Sequence, residues 1–231
     1  MTPLEVARHT ATAEKPNLAL IKMLEEREDK NANRTKTGYH AFRPHSWTML
    51  KLCTDHDWNG AMDRIKAHPH EATQPLMRRG FNVTTVLHLC LMSSSTDVEG
   101  RLKTIHRVLE LNATAAGNVG NGRGSLPLHT LLRPDCNFNK TVKENLVARL
   151  LDAGGSRSTS KRRVDGSTAL HVACLRNSCS RNIVATLLAH DPSVALVPDR
   201  AGNLPVHVAA HNLHAASVVQ LLLDVAPDYI H

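Results

Sequence analysis

The sequence predicts an all-α fold, a solenoid of stacked helix-turn-helix units joined by hairpin-like loops. Three observations lead there. A phrase made of an apolar residue, His and further apolar residues occurs four times, with its histidines at 88, 129, 171 and 207. Each phrase is followed by a second apolar stretch at helical spacing. Aromatic residues are only 3% of a chain that is 42% hydrophobic, so the core must come from Leu, Val, Ile and Ala, which favours packed helices over a sheet sandwich.

The elements follow in chain order. Residues 1–44 are polar and charged and read as a flexible tail. Within it Leu18–Glu28 is one short helical candidate, since Leu18, Ile21 and Leu24 recur at helical spacing. From His45 the pattern changes. A degenerate first unit is expected at about 45–80, with helices at Trp47–Cys53 and Trp58–Ala67 and a stop at His68-Pro69. The four full units are expected at about 84–118, 124–158, 165–198 and 199–231. Their phrases are Thr85-Val86-Leu87-His88, Leu126-Pro127-Leu128-His129, Thr168-Ala169-Leu170-His171 and Leu204-Pro205-Val206-His207. Their second helices are expected at Ile105–Leu111, Val142–Leu151, Ile183–Leu188 and Val218–Leu223. Turn signals precede the last three phrases at Gly124-Ser125, Asp165-Gly166-Ser167 and Ala201-Gly202-Asn203. Pro127 and Pro205 fit a first helical turn, where a missing N–H has no helical partner to lose. Neither helix of such a pair can hide its apolar face alone, so stacked neighbours must cover it.

These phrases resemble the ankyrin repeat. The copy most similar to its consensus is Asp199-Arg200-Ala201-Gly202-Asn203-Leu204-Pro205-Val206-His207-Val208-Ala209-Ala210, continued by Asn212-Leu213-His214 and Val218-Val219-Gln220-Leu221-Leu222-Leu223. Asp165–Cys174 follows, then Gly124–Leu132, and Val86–Leu89 is divergent. The resemblance spans about residues 45–231. It implies a non-catalytic adaptor that binds a partner protein through the concave face and loops of an ankyrin stack. Three departures stand out. Leu126 and Leu204 replace the Thr that bonds the motif His, so two units should lose that lock. The first two full units carry extra residues at Ser93–Glu99 and Arg133–Lys140. The chain also ends at His231 directly after an outer helix without a polar cap, which would suit part of a longer protein.

Several features that suggest chemistry have plainer explanations. His207, His211 and His214 have spacings that could ligate zinc, but His207 and His214 are repeat residues. Cys90 and Cys174 sit where the repeat places a small core residue. The run Gly117–Gly124 lacks the Lys and the preceding strand of a phosphate loop and reads as a long turn. No nucleophile constellation, metal motif or cofactor motif appears. No secretory signal or membrane-spanning stretch is present. The five Cys form no CxxC pair. An intracellular protein, cytoplasmic or nuclear, is therefore expected, with free thiols.

The net charge of +7 directs attention to its distribution. Ser156–Arg163 carries four positive charges beside four hydroxyls and is expected on a projecting finger, solvated and open to an acidic partner or to phosphorylation. By repeat register the partner-binding candidates are Arg157, Lys161, Arg162 and Arg163 on one finger and Asp199 and Arg200 on the next. Arg176, Asn177, His211 and Asn212 would lie where first helices end. The partner is an unidentified protein, acidic in character. Alternatives are the ankyrin portion of a larger signalling enzyme or channel, and a basic nucleic-acid-binding protein. The scarcity of aromatic stacking platforms argues against the last.

Overall fold

The second helix of each unit is amphipathic, and its buried residues follow the helical period. In Lys140–Gly154, Lys143, Leu146, Val147, Leu150 and Leu151 turn inward; in Arg181–His190, Ile183, Val184, Leu187 and Leu188 do so. A short polar side chain starts four of these helices. Asp57, Asp97, Asn139 and Ser180 accept the N–H of Gly60, Gly100, Val142 and Ile183, satisfying a donor that has no intrahelical partner.

The computed structural model describes residues 44–78, 82–118, 120, 123–175, 180–212 and 216–225. The expected tail and its Leu18–Glu28 helix lie outside the described residues. The chain divides into an N-terminal unit, Met1–Thr48, of which only the start of one helix is described, and a larger unit, Met49–His231. The helices are α1 (Pro44–Thr54), α2 (Trp58–Ala67), α3 (Val86–Met92), α4 (Val98–Leu111), α5 (Pro127–Leu131), α6 (Lys140–Gly154), α7 (Ser156–Ser160), α8 (Ala169–Ala173), α9 (Arg181–His190), α10 (Pro205–His211) and α11 (Ala216–Val225). Before α3, strands β1 (Leu76–Arg78) and β2 (Asn82–Thr84) pair antiparallel, Met77 opposite Val83.

Two layers result. The short helices α3, α5, α8 and α10 pack side by side as an inner layer, and α2, α4, α6, α9 and α11 as an outer one. Between them runs one core of aliphatic side chains, with Trp58 at its N-terminal end. The all-α solenoid expected from the sequence is what forms, and its hairpin-like loops are the fingers that precede each inner helix. The last two turn at Gly166 and Gly202, whose φ of +81° and +82° only glycine adopts without strain. Adjacent fingers are hydrogen-bonded edge to edge, Val164 N–H to Arg123 O at 3.0 Å and Arg200 N–H to Asp165 O at 3.0 Å.

The basic run departs from expectation. Ser156–Ser160 is the helical turn α7, in the place that 3₁₀ turns Ala113–Gly117 and Pro192–Leu196 occupy after α4 and α9. It is therefore not finger. Ser158 and Thr159 are buried, with hydroxyls donating to Leu150 O and Asp191 Oδ2. Those bonds draw Ser158 and Thr159 inward, so the finger expected here is corrected to an inter-unit turn, while Ser156, Arg157 and Ser160 stay exposed. The finger proper begins after it, and there the Arg163 side chain is only 11% exposed, paired with Asp165 at 3.3 Å.

Candidate partner-binding face

The motif histidines set the spacing of the units. Each ring accepts at Nδ1 a bond from the start of its own helix. Thr168 donates both its N–H at 3.2 Å and its hydroxyl at 2.9 Å to His171. Leu126 and Leu204 have no hydroxyl, yet their N–H groups still reach His129 and His207 at 3.1 Å. The local lock expected to be lost there is retained by the backbone, because it needs only an amide at the N-cap. With Nδ1 accepting, the proton sits on Nε2. From there His88 donates to Ser125 O at 3.1 Å and His171 to Asn203 O at 3.0 Å, each in the following unit. His129 Nε2 is buried near the Lys161 carbonyl without a bond of good geometry to it. Burial lowers the pKa of His88 and of His129 to about 4 and also lowers that of His171. These rings are neutral spacers that point away from acid-base chemistry.

The cysteines are equally quiet. Cys53, Cys90 and Cys136 are free thiols, and they and Cys174 are buried. Burial pushes the Cys53 thiol up to about 12 and raises Cys90 well above the ordinary value, so neither is a nucleophile. His214 and Cys179 lie outside the described residues. Among the described residues no three His, Cys, Asp or Glu side chains converge as metal ligands would.

The residue four places after each motif His stands at or just beyond the end of its inner helix. These residues are Met92, Arg133, Leu175 and His211. Between the last two units they border a groove of about 630 Å³, lined by Pro134, Leu175, Asn203, His207, Val208, His211 and Asn212. Two candidates from the sequence, His211 and Asn212, are therefore in the groove wall. Arg162, Asp199 and Arg200 are on the two neighbouring fingers. Arg162 donates from Nε to Gly166 O at 3.1 Å and from its terminal nitrogen to Pro198 O, which joins those fingers. The Asp199 carboxylate accepts the N–H of Ala201 and of Asn203 at 2.8 and 2.9 Å, so it stabilises its own turn. Arg157 and Lys161 belong to α7 and its C-cap, with Arg157 lying against Gly117, away from the groove residues. Arg176 and Asn177 lie outside the described residues.

Sequence reasoning missed Met92, Val164 and Leu175. They are the exposed large hydrophobic residues among those described, at 53%, 51% and 37%. The signal that could have found two of them was the fixed offset from the motif His. It also missed Arg101, which is fully buried. Its guanidinium donates to Cys90 O at 2.9 Å, Ser95 O at 3.2 Å and Asn137 Oδ1 at 2.7 Å, and lies 4.0 Å from the Phe138 ring centre. It thereby ties together the two lengthened loops at 93–99 and 133–140.

Fold and face together define a helical-repeat solenoid, a class whose chemistry is surface recognition rather than an enclosed reaction site. Residues 135–230 match the family described as ankyrin repeats (3 copies), so this part of the chain carries ankyrin repeats. Repeats of this family are in general protein–protein interaction modules and typically non-catalytic. No curated protein matches the chain. Among the described residues no helix is long and apolar enough to cross a membrane.

Proposed function

We propose that this chain is a non-catalytic adaptor that binds a partner protein along the fingers and concave groove of its stack. In this reading residues 45–231 act as the stack and residues 1–44 as a tail. The observation that carries it is the placement of the exposed apolar side chains. Met92 and Leu175 both stand four residues after a motif His, at or just past the end of an inner helix, and Val164 lies on a finger. Large apolar side chains left in water along one edge mark an interaction surface more often than scattered ones do. Of the sequence candidates, Arg162, Asp199, Arg200, His211 and Asn212 adjoin that edge, whereas Arg157 and Lys161 contribute through α7 and become peripheral.

A nucleic-acid partner is less well supported. Trp58 and Phe138, the aromatic residues whose side chains are described, are both buried, leaving no stacking platform among them. Affinity capture with the full chain tests the reading. Three proteins are compared: wild type, Leu175→Asp in the groove, and Asp152→Ala on the exposed side of α6. A partner retained by wild type and Asp152→Ala but lost from Leu175→Asp supports the groove. Equal retention by all three refutes it.

A further inference from the structure

The fourth unit is open where the units before it are closed. In the second and third full units the first-helix region is sealed, with another unit packed after each. Leu126, Leu128, His129, Thr130 and Leu132 are buried, and so are Thr168, Leu170, His171, Val172 and Cys174. Their counterparts in the fourth unit are Leu204, Val206, His207, Val208 and Ala210. There His207 and Ala210 are exposed, and the other three are only half-buried. The outer helices repeat the contrast. Val184 and Leu188 of α9 are buried, whereas Val219 and Leu223 of α11 are half-buried.

The polar groups of this end are open in the same way. At the preceding boundary His171 donates from Nε2 to Asn203 O, and Asp165 O accepts the Arg200 N–H. The matching groups on the fourth unit are His207 Nε2 and the carbonyl of Ala201, which precedes His207 by the interval that separates Asp165 from His171. His207 accepts the Leu204 N–H at Nδ1, so its proton is on Nε2. Neither that N–H nor the Ala201 carbonyl has a partner among the described residues.

One edge thus holds an unused donor and an unused acceptor. A second copy of the same edge, brought up antiparallel, answers both at once, each His207 donating to the other copy's Ala201 carbonyl. A two-fold contact needs that self-complementarity, one residue meeting a second and the second meeting the first. The half-buried aliphatic positions close against their own equivalents, and interfaces between identical copies are the more apolar kind. None of the open positions holds Asp, Glu, Lys or Arg. Two copies therefore meet there without like-charge repulsion, although each chain carries +7 overall. A charged peptide or a nucleic acid finds no fixed countercharge at these positions.

We propose that the open end of the fourth unit binds a second copy of this chain, giving a two-fold dimer through the last finger, α10 and α11. This contact is additional to the one with a partner protein at Leu175, and either can fail without the other.

Sedimentation equilibrium of the full chain between about 1 and about 100 µM tests it. Wild type is compared with Ala210→Glu, which adds a carboxylate to each copy at an exposed position of the open end, and with Asp152→Ala on α6 as control. Each variant is first shown to unfold in urea as wild type does; Leu223→Glu takes the place of Ala210→Glu if that variant does not. Wild type and Asp152→Ala should approach dimer mass as concentration rises, and Ala210→Glu should raise the dissociation constant about tenfold or more. A wild type that stays monomeric throughout, a dimer indifferent to Ala210→Glu, or a mass that keeps growing past the dimer would each overturn the two-fold contact. A monomeric wild type that captures a protein lost from Ala210→Glu but kept by Leu175→Asp would also overturn it, and would assign this end to a different partner.

Discussion

Acidification should loosen this stack well before its carboxylates titrate, because the repeat histidines are buried neutral. His88 and His129 have folded pKa values of about 4 against 6.5 for a free imidazole, with burial the main cause. A lowered folded value means that the unfolded chain takes up protons first as pH falls. The stabilisation is complete above about pH 6.5, declines below it and is fully lost by about pH 4. At about pH 5 each ring costs about 2 kcal/mol relative to neutral pH, so the pair removes about 4 kcal/mol. His171 shifts in the same direction and adds to the loss. The lowered carboxylates Asp135, Asp165 and Asp199 act further down, below their ordinary value near 3.8. Urea unfolding followed by circular dichroism between about pH 7.5 and pH 5 measures this directly. The slope near pH 5.5 should correspond to about two protons or more, and His129→Gln should remove about one of them. A folded protein whose stability changes by less than about 1 kcal/mol across that interval would refute the neutral-spacer account.

Arg101→Met should cost about 2–4 kcal/mol in urea unfolding, since it leaves the acceptors Cys90 O and Asn137 Oδ1 without their buried donor. Gly120→Ala would bring a Cβ to 2.5 Å from the His88 ring and should destabilise by about 2 kcal/mol. Gly202→Ala meets no atom within 4 Å and should cost about 1 kcal/mol through its positive φ alone, so the order of the two glycine variants in urea checks the packing at finger 120–125. Glu71→Ala removes the carboxylate that Arg64 grips at 2.9 Å from two nitrogens and should lower stability by about 3 kcal/mol by taking the paired carboxylate from a buried guanidinium. In limited kinase labelling of the native chain Ser158 and Thr159 should stay unmodified, because both are buried, and labelling should appear only under conditions that unfold α7.

The solenoid was legible because its signals are local and repeated. Leu146, Val147, Leu150 and Leu151 mark the buried face of α6 by spacing alone, and Gly202 marks its turn by the φ only glycine tolerates. The parts that were not legible depend on partners distant in sequence. Ser156–Ser160 has no apolar period to announce a helix. It is held by Leu150 and, across the unit boundary, by Asp191. Arg101 reads as a solvated charge on α4 until Asn137 and Phe138, more than thirty residues on, close over it. The Leu126 and Leu204 substitutions looked like lost locks because a side-chain comparison cannot see that the amide makes the same bond.

The candidate face was half legible for a related reason. Charge can be counted from sequence, but whether a charge is available depends on what already answers it. Four basic residues stand together at 157–163, yet folding separates them. Arg157 goes to the turn beside Gly117, Arg163 is covered and paired with Asp165, and Arg162 remains exposed at the junction of two fingers. The apolar half of the face was hidden by the opposite error. Met92 and Leu175 carry the residue types of a core, yet at and just past the ends of their short inner helices they are exposed. Repetition spaces these residues across the stack, so that the face is a property of the array that no single repeat displays.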